Sequence, residues 1–480
     1  MNILDNVISF FSPETAAKRL AARMVIRNYE GASIGRRTKN WRATQKDANT
    51  EIKSAHATLR NRSRDLVRNN PYARRAVRAI KNNVIGSGIR PSFSGTGANQ
   101  AKIFSDFADS FKVDYTGLQN FYALQGLAMQ AVADGGECFI IKKVSTTSPF
   151  GLELQLLESE FLYDLDPFEL FADGSYREQG ITFKDGKPFS YKMYKLHPNG
   201  AYQMRDTIEV SANDVIHIFD RERIGQIRGV PFGVSAFIRT KDFDDYEAAQ
   251  LMRLKIAACF SVFVTDSAAP TILQGEQSAL DMVSEVSPGM IEYLPPGKSV
   301  SFGNPPPAEG YDVYSRKVQE GIAAGYGVPY ATMTGDFSNV NFSSARMAWM
   351  EFSKEIQHYQ QNLMIPMCQR VFDWFAEIIE LKGIKIRKVK TKWTTPRREM
   401  IDVAKEGAAQ IALVRAGFKS HSEALREMGY DPETVFNEIA QDNAMIDKLG
   451  LKLDSDPRYV TKAGIEQIDN TANDITTQNN

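Results

Sequence analysis

One cysteine stands where a nucleophile could act. Cys138 ends the segment DGGEC (134–138), in which two glycines and two carboxylates, Asp134 and Glu137, lie close to it. A thiol attacks as its thiolate, and neighbouring carboxylates raise the pKa of a thiol where catalysis needs it lowered. The local charge favours a buried cysteine at the start of a strand, and a cysteine-dependent hydrolase stays open as an alternative.

The residues that could hold a metal or attack a phosphate do not form a recognised site. Asp242, Asp244 and Asp245 have the chemistry of a two-metal phosphoryl-transfer site, but on one helix they point in different directions. The five histidines form no HxH, HxxxH or HExxH spacing, and His217 alternates with apolar residues as a packed strand residue does. No Walker A, nucleophile-elbow or kinase motif occurs. We expect no enzymatic activity, no cofactor and no metal.

The composition is that of a globular protein that folds in a reducing compartment. Its 480 residues are 43% hydrophobic, and three widely spaced cysteines argue against a disulfide framework. No apolar run approaches the roughly 20 residues of a spanning helix, and the N-terminus lacks the features of a secretory signal. We therefore expect no membrane association.

Charge is unevenly distributed along a chain whose total is zero. Residues 1–90 hold 19 Lys and Arg against 6 Asp and Glu, a net +13, and residues 401–480 hold 8 against 14, a net −6. The densest basic block, residues 60–83, has eight Arg and Lys and one acidic residue, Asp65. Its arginines lie mostly off the apolar stripe of a helix, which favours a solvated or subunit-facing surface. Direct DNA contact is the alternative.

Periodicity predicts the elements that must position these residues. A helix at 48–83 should break at Pro71, and residues 99–133 should be helical. Short strands, with a hairpin turn at Asp185-Gly186, should fill residues 137–219. The predicted core of the second helical region comprises Phe104, Phe107, Phe111, Leu118, Phe121, Leu124, Leu127 and Met129.

The second half of the chain is predicted to be mainly helical. A helix at 235–260 should place Phe237, Phe243, Leu251, Leu254 and Ala258 on one side. A Pro- and Gly-rich extension at 293–310 should be followed by a helix at 313–326 and by a loop of about fifteen residues within 327–349. A helix at 345–381 should be kinked by Pro366. A strand pair at 384–393 and a helical C-terminal region with a polar tail should complete the chain.

Four stretches of the chain are distinctive together: LRNRSRDLVRNNPYARRAVRAIKNNVIGSGI (59–89), GGECFI (135–140), GQIRGVPFG (225–233) and GVPYATMTGDFSNVNFSSARMAW (327–349). In these stretches and in their order, the chain resembles the lambda-type family of tailed-phage portal proteins. The resemblance extends from about residue 25 to about residue 430. It implies an α+β subunit that forms a ring, usually of twelve copies, at one vertex of the capsid.

The resemblance also implies a division of the subunit into named parts. These are an N-terminal basic arm (1–45), a wing of helices and a small sheet region (46–234), a stem helix (235–262), a clip (263–310), a second stem helix (311–327), a tunnel loop (328–344), a long kinked helix with wing strands (345–399) and a helical crown with a polar tail (400–480).

The resemblance implies roles for three sets of residues. Double-stranded DNA must slide through the ring, and phosphate neutralisation by many Lys and Arg would hold it too tightly, so an uncharged loop suits the channel. The expected channel residues are Ser338, Asn339, Val340, Asn341, Phe342, Ser343, Ser344 and Arg346. The acidic residues of the stem are Asp242, Asp244, Asp245 and Glu247. The expected subunit interface comprises Arg60, Arg64, Arg68, Arg74, Arg75 and Arg78.

The implied partners are further copies of the chain, DNA passing without sequence specificity, the terminase motor, major capsid and scaffold proteins, and head-completion or tail adaptor proteins. The implied location is the virion, after assembly in the host cytoplasm. A non-enzymatic DNA-binding protein that acts through its basic N-terminal region remains the other alternative.

Overall fold

The computed structural model describes residues 12–15, 18, 36, 39, 43–201, 205–258, 262–266, 298–302, 310–396, 403–451, 453 and 458. The chain divides into two units, Met1–Glu51 and Ile52–Asn480. Most of the predicted arm, most of the predicted clip and the polar tail lie outside the described residues.

The described helices and strands follow one another in a mixed order. They are α1 (Ala48–Asn69), α2 (Pro71–Val84), β1 (Arg90–Ser94), α3 (Ala98–Ala101), α4 (Ile103–Asp109), α5 (Phe121–Gly135), β2 (Glu137–Val144), β3 (Leu152–Glu158), β4 (Glu169–Leu170), β5 (Tyr176–Glu178), β6 (Ile181–Lys184), β7 (Lys187–Tyr194), β8 (Thr207–Ser211), β9 (Val215–Phe219), α6 (Phe237–Ala258), β10 (Val262–Asp266), β11 (Lys298–Phe302), α7 (Tyr311–Gly325), α8 (Tyr330–Thr334), α9 (Phe342–Tyr359), α10 (Ile365–Glu380), β12 (Lys390–Thr394), α11 (Val403–Arg415), α12 (His421–Glu427) and α13 (Pro432–Leu449).

The predicted break at Pro71 is confirmed. Asn70 separates α1 from α2 in an extended conformation, and its side chain accepts a hydrogen bond from the backbone N–H of Ala73. Pro71 occupies the first turn of α2, where a missing N–H costs nothing. Ala73, Ala76, Val77, Ile80 and Val84 then form the buried face of α2.

The predicted strand region forms two separate antiparallel sheets. One has the order β3-β2-β9 and the other β4-β5-β6-β7-β8. Asp185 and Gly186 make the predicted hairpin turn between β6 and β7, both with positive φ (50° and 73°), as a two-residue hairpin turn requires. Residues 202–204, within the region predicted to form strands, lie outside the described residues.

The main core forms where α4 and α5 pack against α10. Phe104 contacts Phe372 and Phe375 edge to face, at centroid distances of 5.3 and 5.2 Å. Five of the residues predicted for this core are buried, namely Phe104, Phe107, Phe121, Leu124 and Met129. Phe111, Leu118 and Leu127 were wrongly predicted to be buried, since they are 59%, 75% and 43% exposed. Helical spacing does not extend across the break between α4 and α5, where Phe111 lies in a 3₁₀ turn and Leu118 in the connecting loop, whereas Leu127 lies on the exposed side of α5.

The predicted helix at 235–260 is present as α6, but only its first half is packed. Phe237 and Phe243 are buried, whereas Leu251 and Leu254 are 54% and 55% exposed, which corrects their assignment to the packed side. The helix at 313–326 is confirmed as α7, and Tyr246 stacks on Tyr311 to join α6 and α7.

The long loop predicted within 327–349 is shorter than expected. A short helix, α8, occupies Tyr330–Thr334, and α9 begins at Phe342, so irregular backbone within this region is confined to residues 327–329 and 335–341. The long helix predicted at 345–381 is present as α9 and α10, which a π-helical segment, Gln360–Met364, joins just before Pro366. Proline has no N–H to donate to the preceding turn, which accounts for the wider turn there.

The strand pair predicted at 384–393 is wrong. Only β12 forms in this region, and its partner is β1, about 300 residues earlier, with Arg90 opposite Thr394. Sequence spacing could not reveal so distant a partner. Across the described residues, the helices are too short or too polar to cross a membrane.

Candidate assembly and channel surfaces

A carboxylate and a guanidinium meet in the interior of the subunit. Glu137, at the start of β2, and Arg228, in the loop after β9, both have fully buried side chains. Arg228 donates from Nε to both oxygens of Glu137 at 2.9 and 3.1 Å, and from Nη2 to Oε1 at 2.6 Å. This bidentate geometry is the strongest form of a carboxylate–guanidinium pair. It joins GGECFI to GQIRGVPFG, two of the stretches identified in the sequence.

Further donors complete the shell around Glu137. Ser159 Oγ donates to Oε1 at 2.6 Å and the backbone N–H of Gly229 donates to Oε2 at 3.0 Å. His217 Nε2 lies 3.0 Å from Oε2. Burial alone raises the pKa of Glu137, but Arg228 and the His217 hydrogen bond hold that pKa well below its usual range. The carboxylate therefore stays ionised in the core.

Two histidines border this ion pair. Burial lowers the pKa of His217, against the opposing effect of Glu137, and its ring stacks on Phe139 at 4.3 Å between centroids. Burial and the nearby Arg228 lower the pKa of His56 to about 4, and its Nε2 lies 3.1 Å from the carbonyl oxygen of Gly229. The prediction that His217 is packed is confirmed. The network around Glu137 was not predicted, and its only signal was polar residues inside otherwise apolar motifs.

The structure corrects the expected placement of Arg60 and Arg64. Arg60 is 7% exposed, its Nε lies 2.9 Å from Glu160 Oε1, and its Nη1 donates to Ser159. Arg64 pairs with the same carboxylate, Glu160, and lies 3.4 Å from Glu158. Both arginines therefore join α1 to the end of β3 inside one subunit, and neither is an unpaired surface side chain. A carboxylate about 100 residues away could not be matched to them from the sequence.

The other arginines of the predicted interface face solvent. Arg68, Arg74, Arg75 and Arg78 are exposed, and within the described part of the chain none of their side chains has an ion pair or hydrogen bond. Arg74 and Arg78 are one turn apart on α2, so their guanidinium groups lie on one face. We call these four residues the arginine face. An unpaired basic surface of this kind suits an acidic partner.

The acidic residues of α6 have different environments. Asp242 is exposed, and Asp245 pairs with Lys241 one turn away at 2.7 Å. Asp244 accepts a hydrogen bond from Asn70 Nδ2 at 2.7 Å, and Glu247 accepts one from the Tyr311 hydroxyl at 3.3 Å. Burial raises the pKa of both Asp244 and Glu247. The first half of α6 therefore joins neighbouring helices through two of its carboxylates and presents the other two to solvent.

The predicted channel residues surround the N-terminus of α9. Asn341 caps this helix by accepting from the backbone N–H of Ser344 at 2.8 Å, while the Ser344 hydroxyl accepts from the backbone N–H of Asn341 at 3.1 Å. Asp336 accepts from Tyr330 at 3.1 Å and from Ser338, which ties down the start of the segment. Asn339, Ser343 and Arg346 are among the exposed side chains.

The segment that leads into α9 (residues 335–341) and the arginine face are adjacent. A Cβ built on Gly335 would lie 2.8 Å from Nη1 of Arg75, so this guanidinium covers the turn that leads out of α8. Phe337 and Phe342 are 62% and 53% exposed beside it. Basic, polar and apolar groups thus share one surface, where a partner or a neighbouring subunit could contact all three.

The environment of Cys138 disfavours nucleophilic chemistry. Its side chain is buried, and burial raises the pKa of the thiol well above its ordinary value.

The carboxylates of Glu158 and Glu160 and the ring of His197 bring ligand atoms within 4.8 Å of one another. Arg64 already pairs with both carboxylates, which neutralises the charge that a cation would need.

Comparison with known proteins shows which family the chain is similar to. A model described as "Phage portal protein, lambda family" matches residues 34–360. The chain is 24% identical over 455 residues to the "Probable portal protein" of Halomonas phage phiHAP-1, covering 88% of each chain. It is 22% identical over 504 residues to "Portal protein B" of Escherichia phage lambda, covering 91% of this chain and 93% of that one.

Solved structures show a weaker likeness. The neck of an empty GTA particle contains a chain that is 16% identical, with a TM-score of 0.47, covering 79% of this chain and 94% of the other. An HK97 family phage portal protein from Corynebacterium diphtheriae is 11% identical, with a TM-score of 0.32 and coverages of 71% and 94%.

Proposed function

The chain belongs to the lambda family of phage portal proteins, and from this premise we propose that it forms a ring, most simply of twelve copies, at one vertex of a capsid. The match of the family model to residues 34–360 carries this proposal. In the proposed ring, double-stranded DNA enters the head and later leaves it through the central channel. The virion is then the site of action, and assembly takes place in the host cytoplasm.

We assign the interface between neighbouring subunits of the ring to exposed charged side chains. The arginine face has no partner within the described part of its own chain, and Asp242 and Asp245 are exposed on α6. In a closed ring, every copy presents one surface to the next copy on each side, so a basic face is used as many times as there are subunits. Acidic side chains of the neighbouring copy are the expected partners of Arg68, Arg74, Arg75 and Arg78.

We assign the DNA channel to residues 338–344 and Arg346, at the start of α9. Residues 337–345 carry no charge, so they would contact a passing duplex through hydroxyl, amide and apolar groups. Such contacts do not release counterions, and DNA can therefore slide past them with little dependence on salt. Residues 235–262 and 311–327 are the proposed stem and residues 263–310 the proposed clip, where the terminase motor and the head-completion or tail adaptor proteins would dock. Major capsid and scaffold proteins would contact the wing.

The mass of the purified full chain tests the proposal. Native mass spectrometry combined with negative-stain images should give a particle of about twelve subunits with a central hole. A ring of a closely related subunit number would keep the function and correct the count. A chain that stays monomeric with scaffold protein present would contradict the ring.

A DNA-binding module is the second candidate, and the exposed arginine face favours it. A monomer that binds duplex DNA, with an affinity that falls steeply between low and physiological salt, would support this candidate. Weak binding with little salt dependence would support the channel.

A further inference from the structure

The C-terminal helices form a unit that has no hydrophobic core of its own. Within α11 and α12 no residue is buried, and within α13 only Pro432 is. By contrast, α10 buries nine of its sixteen residues. Ten large apolar side chains between Val403 and Leu451 are 41–83% exposed. We call α11, α12 and α13 together the C-terminal unit.

Helices of this length need an apolar partner. Isolated helices shorter than about 12–15 residues are marginal in water, and α12 has seven residues and α11 thirteen. Ser420 and Asp431 cap α12 and α13 through their side chains, so the helix starts are well specified. An ion pair between Lys102 and Glu433 joins the unit to the rest of the chain, but both partners are about half exposed and it contributes little.

The apolar surface of α13 is a stripe and not a scatter. Phe436, Ile439, Ile446 and Leu449 recur at spacings of three and seven, which places them on one side of the helix. Three of these four side chains are 43–64% exposed. Asp442 lies within the stripe, one turn from both Ile439 and Ile446, and Glu438 borders it; neither carboxylate has an ion-pair partner within the described part of the chain.

The two ends of the unit carry opposite charge. Residues 403–419 contain three basic side chains and one acidic one, a net +2, and residues 432–449 contain four acidic and one basic, a net −3. On α11, Arg415 is exposed and without an ion pair among the described residues. A head-to-tail contact between copies brings two different surfaces together, and opposite charge favours that arrangement over like-with-like pairing.

We propose that the C-terminal unit of the next copy in the ring covers this surface, with the stripe of α13 lying against α11 of its neighbour. The inference rests on the proposed ring and adds the segment that completes it. Ten side chains about half exposed offer on the order of 1,000 Å² of apolar surface per copy. A stable interface needs about 800 Å² per partner. The C-terminal unit therefore becomes stable only when the ring closes.

Hydrogen exchange of the full chain tests the inference. Ring and free-subunit fractions are separated by size, and amide exchange is followed in residues 432–449 and, as an internal reference, in residues 365–380 of α10. Residues 432–449 should exchange at least about tenfold more slowly in the ring, while α10 exchanges equally in both fractions. A ring in which residues 432–449 exchange as fast as in the free subunit would overturn the inference and leave the proposed function intact. A chain that forms no ring would overturn both.

Variants of α13 distinguish loss of the contact between neighbouring copies from a general loss of stability of the fold. Phe436→Asp with Ile439→Asp places charge on the stripe, and Gln441→Asp places one on the opposite side of the same helix as a control. The double variant should either fail to form rings or form rings whose C-terminal unit has lost its exchange protection, and the control should behave as wild type. Rings of the double variant with wild-type protection would contradict the proposal.

Reversing the charges on α13 and on α11 tests whether these two surfaces meet in the ring. Glu438→Arg with Asp442→Arg should weaken protection of the C-terminal unit, and adding Arg415→Glu should restore part of it. If the added substitution weakens protection further, Arg415 of the neighbouring copy does not face these carboxylates and the assigned pairing is wrong.

Discussion

Glu137 remains ionised although no part of its side chain reaches solvent. Arg228 supplies the opposite charge, and Ser159, His217 and the N–H of Gly229 satisfy the remaining lone pairs. A buried ion pair offsets its desolvation only when its geometry is good and its other hydrogen bonds are made. Both conditions hold here, so the pair specifies how β2, β9 and the loop before α6 fit together.

Removing the charge of Glu137 should be costly. Glu137→Gln leaves the Arg228 guanidinium in the core without its counter-ion, and the free energy of unfolding should fall by about 3–5 kcal/mol. Urea denaturation of the purified chain measures this change. Glu351→Gln removes a carboxylate whose ion pair with Lys354 is exposed, and it should change stability by less than about 0.5 kcal/mol. Equal effects of the two substitutions would show that the buried ion pair contributes no more to the free energy of unfolding than the exposed one.

Stability should fall with acidification because of the buried histidines. The folded-state pKa of His56 is lowered to about 4, below its ordinary value, so the unfolded chain binds more protons between the two. The neutral imidazole of His56 therefore stabilises the fold fully above about pH 6.5, and this contribution to stability is lost as pH falls towards about 4. The loss attributable to His56 should be on the order of 2 kcal/mol near pH 5.

Denaturation midpoints measured across this pH range provide the test. His56→Gln should flatten the dependence, because glutamine can still donate to the carbonyl of Gly229 but does not titrate. His421→Gln, at an exposed position, serves as the control and should keep the wild-type slope. A His56→Gln protein with the wild-type slope would place the acid sensitivity elsewhere.

At the scale of elements, two glycines set how closely the sequence motifs approach. A Cβ on Gly229 would lie 2.0 Å from the carbonyl oxygen of Gly136, and a Cβ on Gly136 would lie 2.9 Å from that of Gly229. The backbone leading into β2 and the loop before α6 therefore touch directly. This contact brings the N–H of Gly229 within hydrogen-bonding distance of Glu137.

Gly229→Ala should be strongly destabilising, by about 3 kcal/mol or more, because backbone cannot move away as a flexible side chain can. Gly407→Ala is the matched control. Gly407 lies within α11 with no atom within 4 Å of an added Cβ, so alanine should stabilise its helix by about 0.5–1 kcal/mol. Thermal denaturation of both variants gives the comparison. A Gly229→Ala protein as stable as wild type would mean that the contact between the two motifs is looser than described.

At the scale of the whole molecule, packing divides the subunit into self-sufficient and incomplete parts. The region around α4, α5 and α10 has a continuous core of buried aromatic and aliphatic side chains. The second half of α6, the start of α9 and the C-terminal unit instead expose apolar side chains. A protein that acts as an oligomer can leave such surfaces for its neighbours to cover.

Reversing charge on the arginine face should impair assembly. Arg74→Glu with Arg75→Glu removes two unpaired cations and adds two anions, so the fraction of chain in rings should fall at least about tenfold while the monomer keeps its thermal stability. Light scattering measures the ring fraction. Lys354→Glu, on the exposed side of α9, is the control and should assemble normally. Rings that form normally but no longer retain DNA would identify the arginine face as a DNA contact.

Local order along the chain was determined by the sequence. The break between α1 and α2, the Asp185-Gly186 turn and the burial of Phe104, Phe107 and Met129 were all predicted, because proline chemistry, turn conformation and helical periodicity act over a few residues. The family was identified from four short stretches for the same reason, since each is contiguous in sequence.

Only the tertiary structure decided which distant residues meet. The pairing of Glu137 with Arg228, of Arg60 with Glu160 and of β1 with β12 joins residues about 90–300 positions apart. Charge and periodicity show that a residue is basic or lies off an apolar stripe, but they do not show whether another part of the chain will bury it. Arg60 and Arg78 look alike in sequence, and folding places one in the interior and the other in solvent, because burial of a charge depends on a counter-ion that only the folded chain brings near.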